Sequence, residues 1–174
     1  MLNVINGGAH ANNNLAFQEF MIIPIGINTF KEAIQRSSEV FHNLKSILQK
    51  RKYSTAVGDE GGFAPNLKSE DEALKLICDA IIKSGYKLEK DFLLAIDVAA
   101  SEFYKNGKYS ISSSNKKLSS KELSNFLKKL CTKYPIVSLE DPFDENDWDS
   151  WLTFTKNNGD ELQIVGDDLY TTNV

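Results

Sequence analysis

The sequence predicts an α/β fold with parallel strands, on two observations. Apolar runs of strand length alternate with helices opened by hydroxyl–glutamate pairs, and three of those runs each close on a carboxylate. The runs are FLLAIDVAA (92–100), IVSLEDPF (136–143) and LQIVGDDL (162–169), separated by helix-length segments. Such spacing calls for right-handed crossovers that leave the helices outside the sheet.

Three helix entries share one signature. Thr29/Glu32, Ser69/Glu72 and Ser119/Glu122 each set a hydroxyl three residues before a glutamate, so that each side chain can satisfy a free backbone N–H. After the first, Phe30, Ile34, Ser37, Phe41, Leu44 and Leu48 recur every three or four residues and predict a long amphipathic helix to about Arg51. His42 lies within it and is expected outside any site. The second helix carries Leu74, Ile77 and Ile81 and stops at Gly85; the third carries Leu123, Phe126, Leu127 and Leu130 and stops before Pro135. A shorter fourth holds Trp148, Trp151 and Leu152 and ends near Gly159. All these stripes are expected to be core. Asn106-Gly107, between two aromatic-bearing runs, predicts a type I′ hairpin, and SSSNKKLSS after it a solvated loop.

Composition narrows the function. With 174 residues, 41% of them hydrophobic, the chain can bury a core as one domain or part of one. A net charge of -4 provides no basic field for nucleic acid or an anionic membrane. No apolar run approaches the roughly 20 residues of a membrane span, and MLNVINGGAHANN lacks the order of a signal peptide, so a cytoplasmic protein is expected. Cys78 and Cys131 fall in helical patterns and are expected as reduced thiols without function.

Two features point to chemistry. In STAVGDEGGFAPN, glycines and Pro65 put Asp59 and Glu60 on a loop whose backbone can approach a ligand closely, although an acidic turn in solvent has the same composition. The strand runs then deliver Asp97, Glu140 with Asp141, and Asp167 with Asp168. In a parallel barrel the C-terminal strand ends share one mouth and neighbouring strands lie about 4.8 Å apart, which brings Asp97, Glu140 and Asp167 together. Converging carboxylates without histidine or cysteine favour Mg²⁺ over zinc or copper. Helix N-capping is the competing reading for Asp141 and Asp168.

NVINGGAHANNNLAFQEFMIIP, VGDEGGFAPN, AIDVAASEFY, YPIVSLEDPFDENDW and QIVGDDL, in this order, resemble the enolases over the whole chain. The resemblance implies a partial TIM-type (β/α)8 barrel that opens ββαα, with strands near 2–6 and 19–24 and about five of eight strands in all. It implies Asp97, Glu140 and Asp167 as ligands of Mg²⁺, Glu60 as general acid with Glu19 as its companion, and His10, Gln18 and Glu19 at the substrate site. The reaction implied is the reversible dehydration of 2-phosphoglycerate to phosphoenolpyruvate in glycolysis, by a homo-oligomer in the cytoplasm, with a cell-surface pool as in some family members.

The same resemblance implies that an N-terminal domain and the last barrel strands lie outside these residues, along with the base lysine and the Arg-Ser pair that holds the phosphate. Lys105, Lys108, Lys116 and Lys117 sit around the hairpin and match none of these. This chain alone is therefore expected not to turn over. A non-catalytic half-barrel serving as an assembly module is the alternative.

Overall fold

The computed structural model describes residues 1–172. Strands β1 (Leu2–Asn6) and β2 (Glu19–Pro24) precede helices α1 (Phe30–Lys50) and α2 (Glu70–Lys83), and β3 (Phe92–Asp97) follows. A small sheet of β4 (Tyr104–Lys105), β5 (Lys108–Ile111) and β6 (Lys116–Leu118) leads to α3 (Ser120–Lys133), β7 (Ile136–Glu140), α4 (Trp148–Asn158) and β8 (Gln163–Val165). The main sheet has the order β1-β2-β3-β7-β8. Its β1–β2 and β2–β3 pairs are antiparallel, and β3–β7 and β7–β8 are parallel. The three acid-bearing runs are thus neighbours and parallel, as the sequence predicts, and the sheet is open among the described residues.

The core lies between sheet and helices. In β3 every residue but Leu93 is buried, the near-continuous burial of a strand covered on both faces. Val40, Leu44 and Leu48 of α1, Leu74, Ile77 and Ile81 of α2 and Leu123, Leu127 and Leu130 of α3 all join one core. The hydroxyl side chains of Thr29, Ser69 and Ser119 cap their helices as expected, but only Ser119 and Glu122 form a reciprocal box. Glu72 turns instead to the Lys68 N–H at 2.8 Å and the Tyr53 hydroxyl at 2.9 Å.

Three expectations are corrected. In α1, burial begins at Ser37; Phe30 is 81% exposed and Ile34 42%, because the first two turns run ahead of the packed part of the helix. In α4, Trp151 and Phe154 face Phe143, with ring centroids 6.3 and 5.4 Å away, while Trp148 and Leu152 lie on the solvent side, 59% and 71% exposed. In SSSNKKLSS, Ser112–Ser114 forms a 3-10 turn and Lys116–Leu118 pairs with β5. Asn115, at φ 51°, makes the reversal, and backbone pairing needs no apolar alternation. The Asn106-Gly107 turn has positive φ at both residues, 52° and 74°, the type I′ geometry expected.

Two buried polar groups fix the loops. Glu70, wholly buried at the first turn of α2, accepts from the Ala16 N–H at 3.1 Å and the Ser113 hydroxyl at 2.7 and 2.8 Å. It joins three segments far apart in sequence. Tyr109, also wholly buried, donates to Asp147 Oδ2 and accepts from the Asp144 N–H, both at 2.9 Å, which anchors the entry to α4. Both cysteines are free thiols. No helix among the described residues is long and apolar enough to cross a membrane.

Candidate metal and acid–base site

One row of the main sheet carries three of the candidate residues, Glu19, Asp97 and Glu140. Asn6 stands opposite Glu19, Glu19 opposite Asp97, Asp97 opposite Glu140 and Glu140 opposite Val165. Because β2 runs against β3, Glu19 is the first residue of its strand whereas Asp97 and Glu140 are the last of theirs, and all three reach the same end of the sheet.

Asp97 is 5% exposed. Its Oδ1 accepts from the Ala99 N–H at 2.9 Å and its Oδ2 from Gln18 Nε2 at 3.0 Å. Oxygens of Asp97, Glu140 and Asp141 lie within 4.8 Å of one another. Burial, and then the Glu140 charge, push the Asp97 carboxyl up to about 8. Burial, followed by Asp141 and Asp167, pushes Glu140 up to about 7. Crowded acids of this kind bind protons or a cation. The donors are all oxygens, and Asp141 Oδ1 is buried without a hydrogen-bond partner. A hard divalent cation such as Mg²⁺ fits that set.

Asp167 stands on the loop beyond β8, near enough for its charge to raise Glu140 and Glu19. What holds that loop is Asp141, a role the sequence reading missed. Its Oδ2 accepts from the N–H of Asp168 at 2.9 Å and of Asp167 at 3.3 Å. It therefore caps the next loop, whereas α4 takes Asp147 at its N-cap position. Asp168 does not cap a helix among the described residues; burial and the Asp141 charge raise its carboxyl. Asp141 and Ala99 both hold positive φ, 41° and 43°, strained backbone one place past Glu140 and two places past Asp97. An acid one place past a strand end is the only local sign of the Asp141 role.

The second cluster comes from loops. His10 closes the Gly8–His10 3-10 turn, and its Nδ1 lies 3.3 Å from Glu19 Oε1. Glu60 is exposed, and a carboxylate oxygen of it falls within 4.8 Å of ligand atoms of His10 and Glu19. Burial raises the Glu19 carboxyl; His10 opposes the shift and Glu60 adds to it. The Glu60 loop is laid onto β1 and the His10 turn by backbone bonds: Asn6 N–H to Phe63 O at 2.9 Å, Phe63 N–H to Val4 O at 3.0 Å and Asp59 N–H to His10 O at 3.0 Å. Gly58 is needed for that approach, since a Cβ there would stand 2.5 Å from His10 O and 2.8 Å from Asn6 Cβ. Gly61, at φ +80°, turns the loop back.

Every residue singled out from the sequence, His10, Gln18, Glu19, Glu60, Asp97, Glu140 and Asp167, thus belongs to one end of the sheet. Among the described residues, Asp59, Glu60's neighbour, makes only the backbone tie to His10. A separate groove of about 430 Å³ between α1 and α2 is lined by Ile47, Lys50, Arg51, Asp79, Ile82 and Lys83 and has no converging acids.

A family model described as "Enolase, C-terminal TIM barrel domain" matches residues 1–174. Enolase from Ehrlichia ruminantium (strain Welgevonden) is 58% identical over 173 residues, covering 99% of this chain and 41% of that protein. The chain spans about two fifths of the length of this curated relative.

Proposed function

This chain belongs to the family of enolase C-terminal TIM barrel domains, and we propose that it contributes the metal ligands and the general acid of a phosphopyruvate hydratase, a lyase that interconverts 2-phosphoglycerate and phosphoenolpyruvate. The observation that carries this reading is the row Glu19, Asp97 and Glu140 across adjacent strands, with Glu60 brought against its Glu19 end by a separate loop.

In this reading Asp97, Glu140 and Asp167 would hold Mg²⁺, with Asp141 tying down the loop that presents Asp167. When bound there, the cation would supply electrostatic stabilisation for negative charge on the substrate carboxylate. Gln18 orients Asp97 through the 3.0 Å bond to Oδ2. His10 and Glu19 line the approach to the reacting carbons, their mutual contact keeping both side chains on the substrate side of the turn. Glu60, exposed at the mouth, delivers a proton to the C3 hydroxyl so that it leaves as water. In the reverse direction the same carboxylate takes a proton from the incoming water. The strongest charges acting on Asp97, Glu140 and Glu19 are carboxylates and His10, with no lysine among them. In this reading the base that removes the C2 proton is the lysine that the enolase resemblance implies, which matches no lysine of this chain, and the isolated chain is assigned no turnover. The reading also assigns the protein to cytoplasmic glycolysis and to a homo-oligomer.

The test is turnover of 2-phosphoglycerate by the full-length protein, followed by ultraviolet absorbance of the enol product with and without Mg²⁺. Mg²⁺-dependent turnover that Asp97→Ala abolishes and Glu60→Gln lowers by at least about 100-fold is expected. Turnover indifferent to chelator, or unchanged in Glu60→Gln, would overturn the assignment.

A further inference from the structure

We propose that Asn6 is a positioning residue for this reaction, a buried amide that locks the Glu60 loop to the Gln18-Glu19 segment at the start of β2; the proposal rests on the function proposed above. Asn6 is the last residue of β1, wholly buried and in register with Glu19. Its side chain uses both ends. Oδ1 accepts from the Gly62 N–H at 2.9 Å, and Nδ2 donates to Gln18 O at 3.4 Å. Its backbone is engaged too, the N–H with Phe63 O at 2.9 Å and the carbonyl with Asn13 Nδ2 at 2.8 Å.

Four links therefore converge on one residue. The Glu60 loop touches Asn6 at both of its glycine ends, since a Cβ on Gly58 would stand 2.8 Å from Asn6 Cβ and a Cβ on Gly62 would stand 2.9 Å from Oδ1. Only an amide of this size offers an acceptor to the loop and a donor to the Gln18 carbonyl at once. Aspartate keeps the acceptor but turns a second lone pair on that carbonyl and adds a charge beside Glu19. Alanine leaves the Gly62 N–H buried and unpaired, which favours a displaced loop. Asp97 and Glu140 stand on β3 and β7, separated from β1 by β2, and Asn6 reaches Asp97 only through Gln18, whose own two bonds to Asp97 do not use Asn6, so the metal ligands stay in place when it is changed.

This separation yields a signature that a merely structural residue would not give. Removal of the C2 proton does not use Glu60, whereas expulsion of the C3 hydroxyl does. In full-length protein shown to turn over 2-phosphoglycerate, Asn6→Ala should lower dehydration at least about tenfold, the cost of displacing a reacting group by a fraction of an ångström. Exchange of the substrate C2 proton into D₂O, followed by NMR, should stay within about twofold of wild type, and so should the Mg²⁺ concentration giving half-maximal exchange. Combining Asn6→Ala with Glu60→Gln should cost no more than Glu60→Gln alone. Asn6→Asp preserves side-chain volume and serves if the alanine variant does not fold; it should show the same split. Equal loss of exchange and dehydration, or losses in the double variant that multiply, would overturn the positioning role. Inactive wild-type protein would instead strike at the function proposed above, so the two failures are distinguishable.

Discussion

Gln18 Nε2 donates to Asp97 Oδ2 at 3.0 Å, and the Gln18 backbone N–H donates to the Asp97 carbonyl at 3.1 Å. The residue ahead of Glu19 is thus fastened twice to the best-buried candidate ligand. A donor that fixes one carboxylate oxygen leaves the rest of the group to face the neighbouring acids and decides how it presents itself to a cation.

Asp97→Ala in the full-length protein should abolish measurable Mg²⁺ binding and activity together. Gln18→Leu, which removes only the orienting bond, should weaken Mg²⁺ by about tenfold. Calorimetric titration of both variants gives the ranking, and an Asp97→Ala protein with wild-type metal affinity would refute the ligand assignment.

The raised carboxyls make metal-free stability depend on pH. Asp97 rises from 3.8 to about 8 and Glu140 from 4.5 to about 7, so across that window the folded protein holds protons that the unfolded chain has released. Stability in chelator should therefore fall as pH rises from about 4 towards 8, the sign that linkage gives when the native state binds more protons. Asp97→Asn should flatten the fall, and so should saturating Mg²⁺ on the wild type. Thermal unfolding across the window reads the slope; a slope unchanged by Asp97→Asn would contradict the cause given.

Much of this was legible in the sequence because it depends on local period. Alternating strands and helices fixed the crossovers, and Asp97 and Glu140 at the close of their apolar runs marked strand ends at the mouth, whereas Asp167 falls on the loop two places past β8. Asp141 was not legible, since accepting from the N–H groups of Asp167 and Asp168 is a long-range contact between two loops. Asn6 was hidden for the same reason: an asparagine at the end of LNVIN reads as an ordinary strand terminus. The faces of α1 and α4 were misread because an apolar residue at the right spacing is buried only where another element covers it. Nothing covers Phe30, Ile34, Trp148 or Leu152 among the described residues to that degree.

Gly58→Ala should separate the two clusters. Its Cβ would collide with His10 O and Asn6 Cβ, and relief requires the Glu60 loop to lift. Turnover should drop by about 100-fold while Mg²⁺ affinity holds, because β3 and β7 are untouched. Loss of metal binding in this variant would show that the clusters are not independent.

Tyr109→Phe tests the anchor under α4. The change strips the Asp144 N–H of its acceptor and Asp147 of a donor, and should cost about 1–3 kcal/mol. Urea denaturation of wild type and variant measures it, with kcat expected to be unchanged. An unaltered midpoint would mean that water replaces the hydroxyl without cost.

The Glu70 knot makes tolerance to added length uneven around the molecule. Ala16, two residues before Gln18, and Ser113, on a surface turn of the small sheet, share one buried carboxylate. An insertion after Ser113 would therefore be transmitted to the segment that carries Gln18 and Glu19, although that turn looks dispensable from outside. Residues 26–28, where Gly26 at φ +63° bends an outlying link toward α1, have no such tether to the site among the described residues. A reporter peptide or fluorescent tag belongs there.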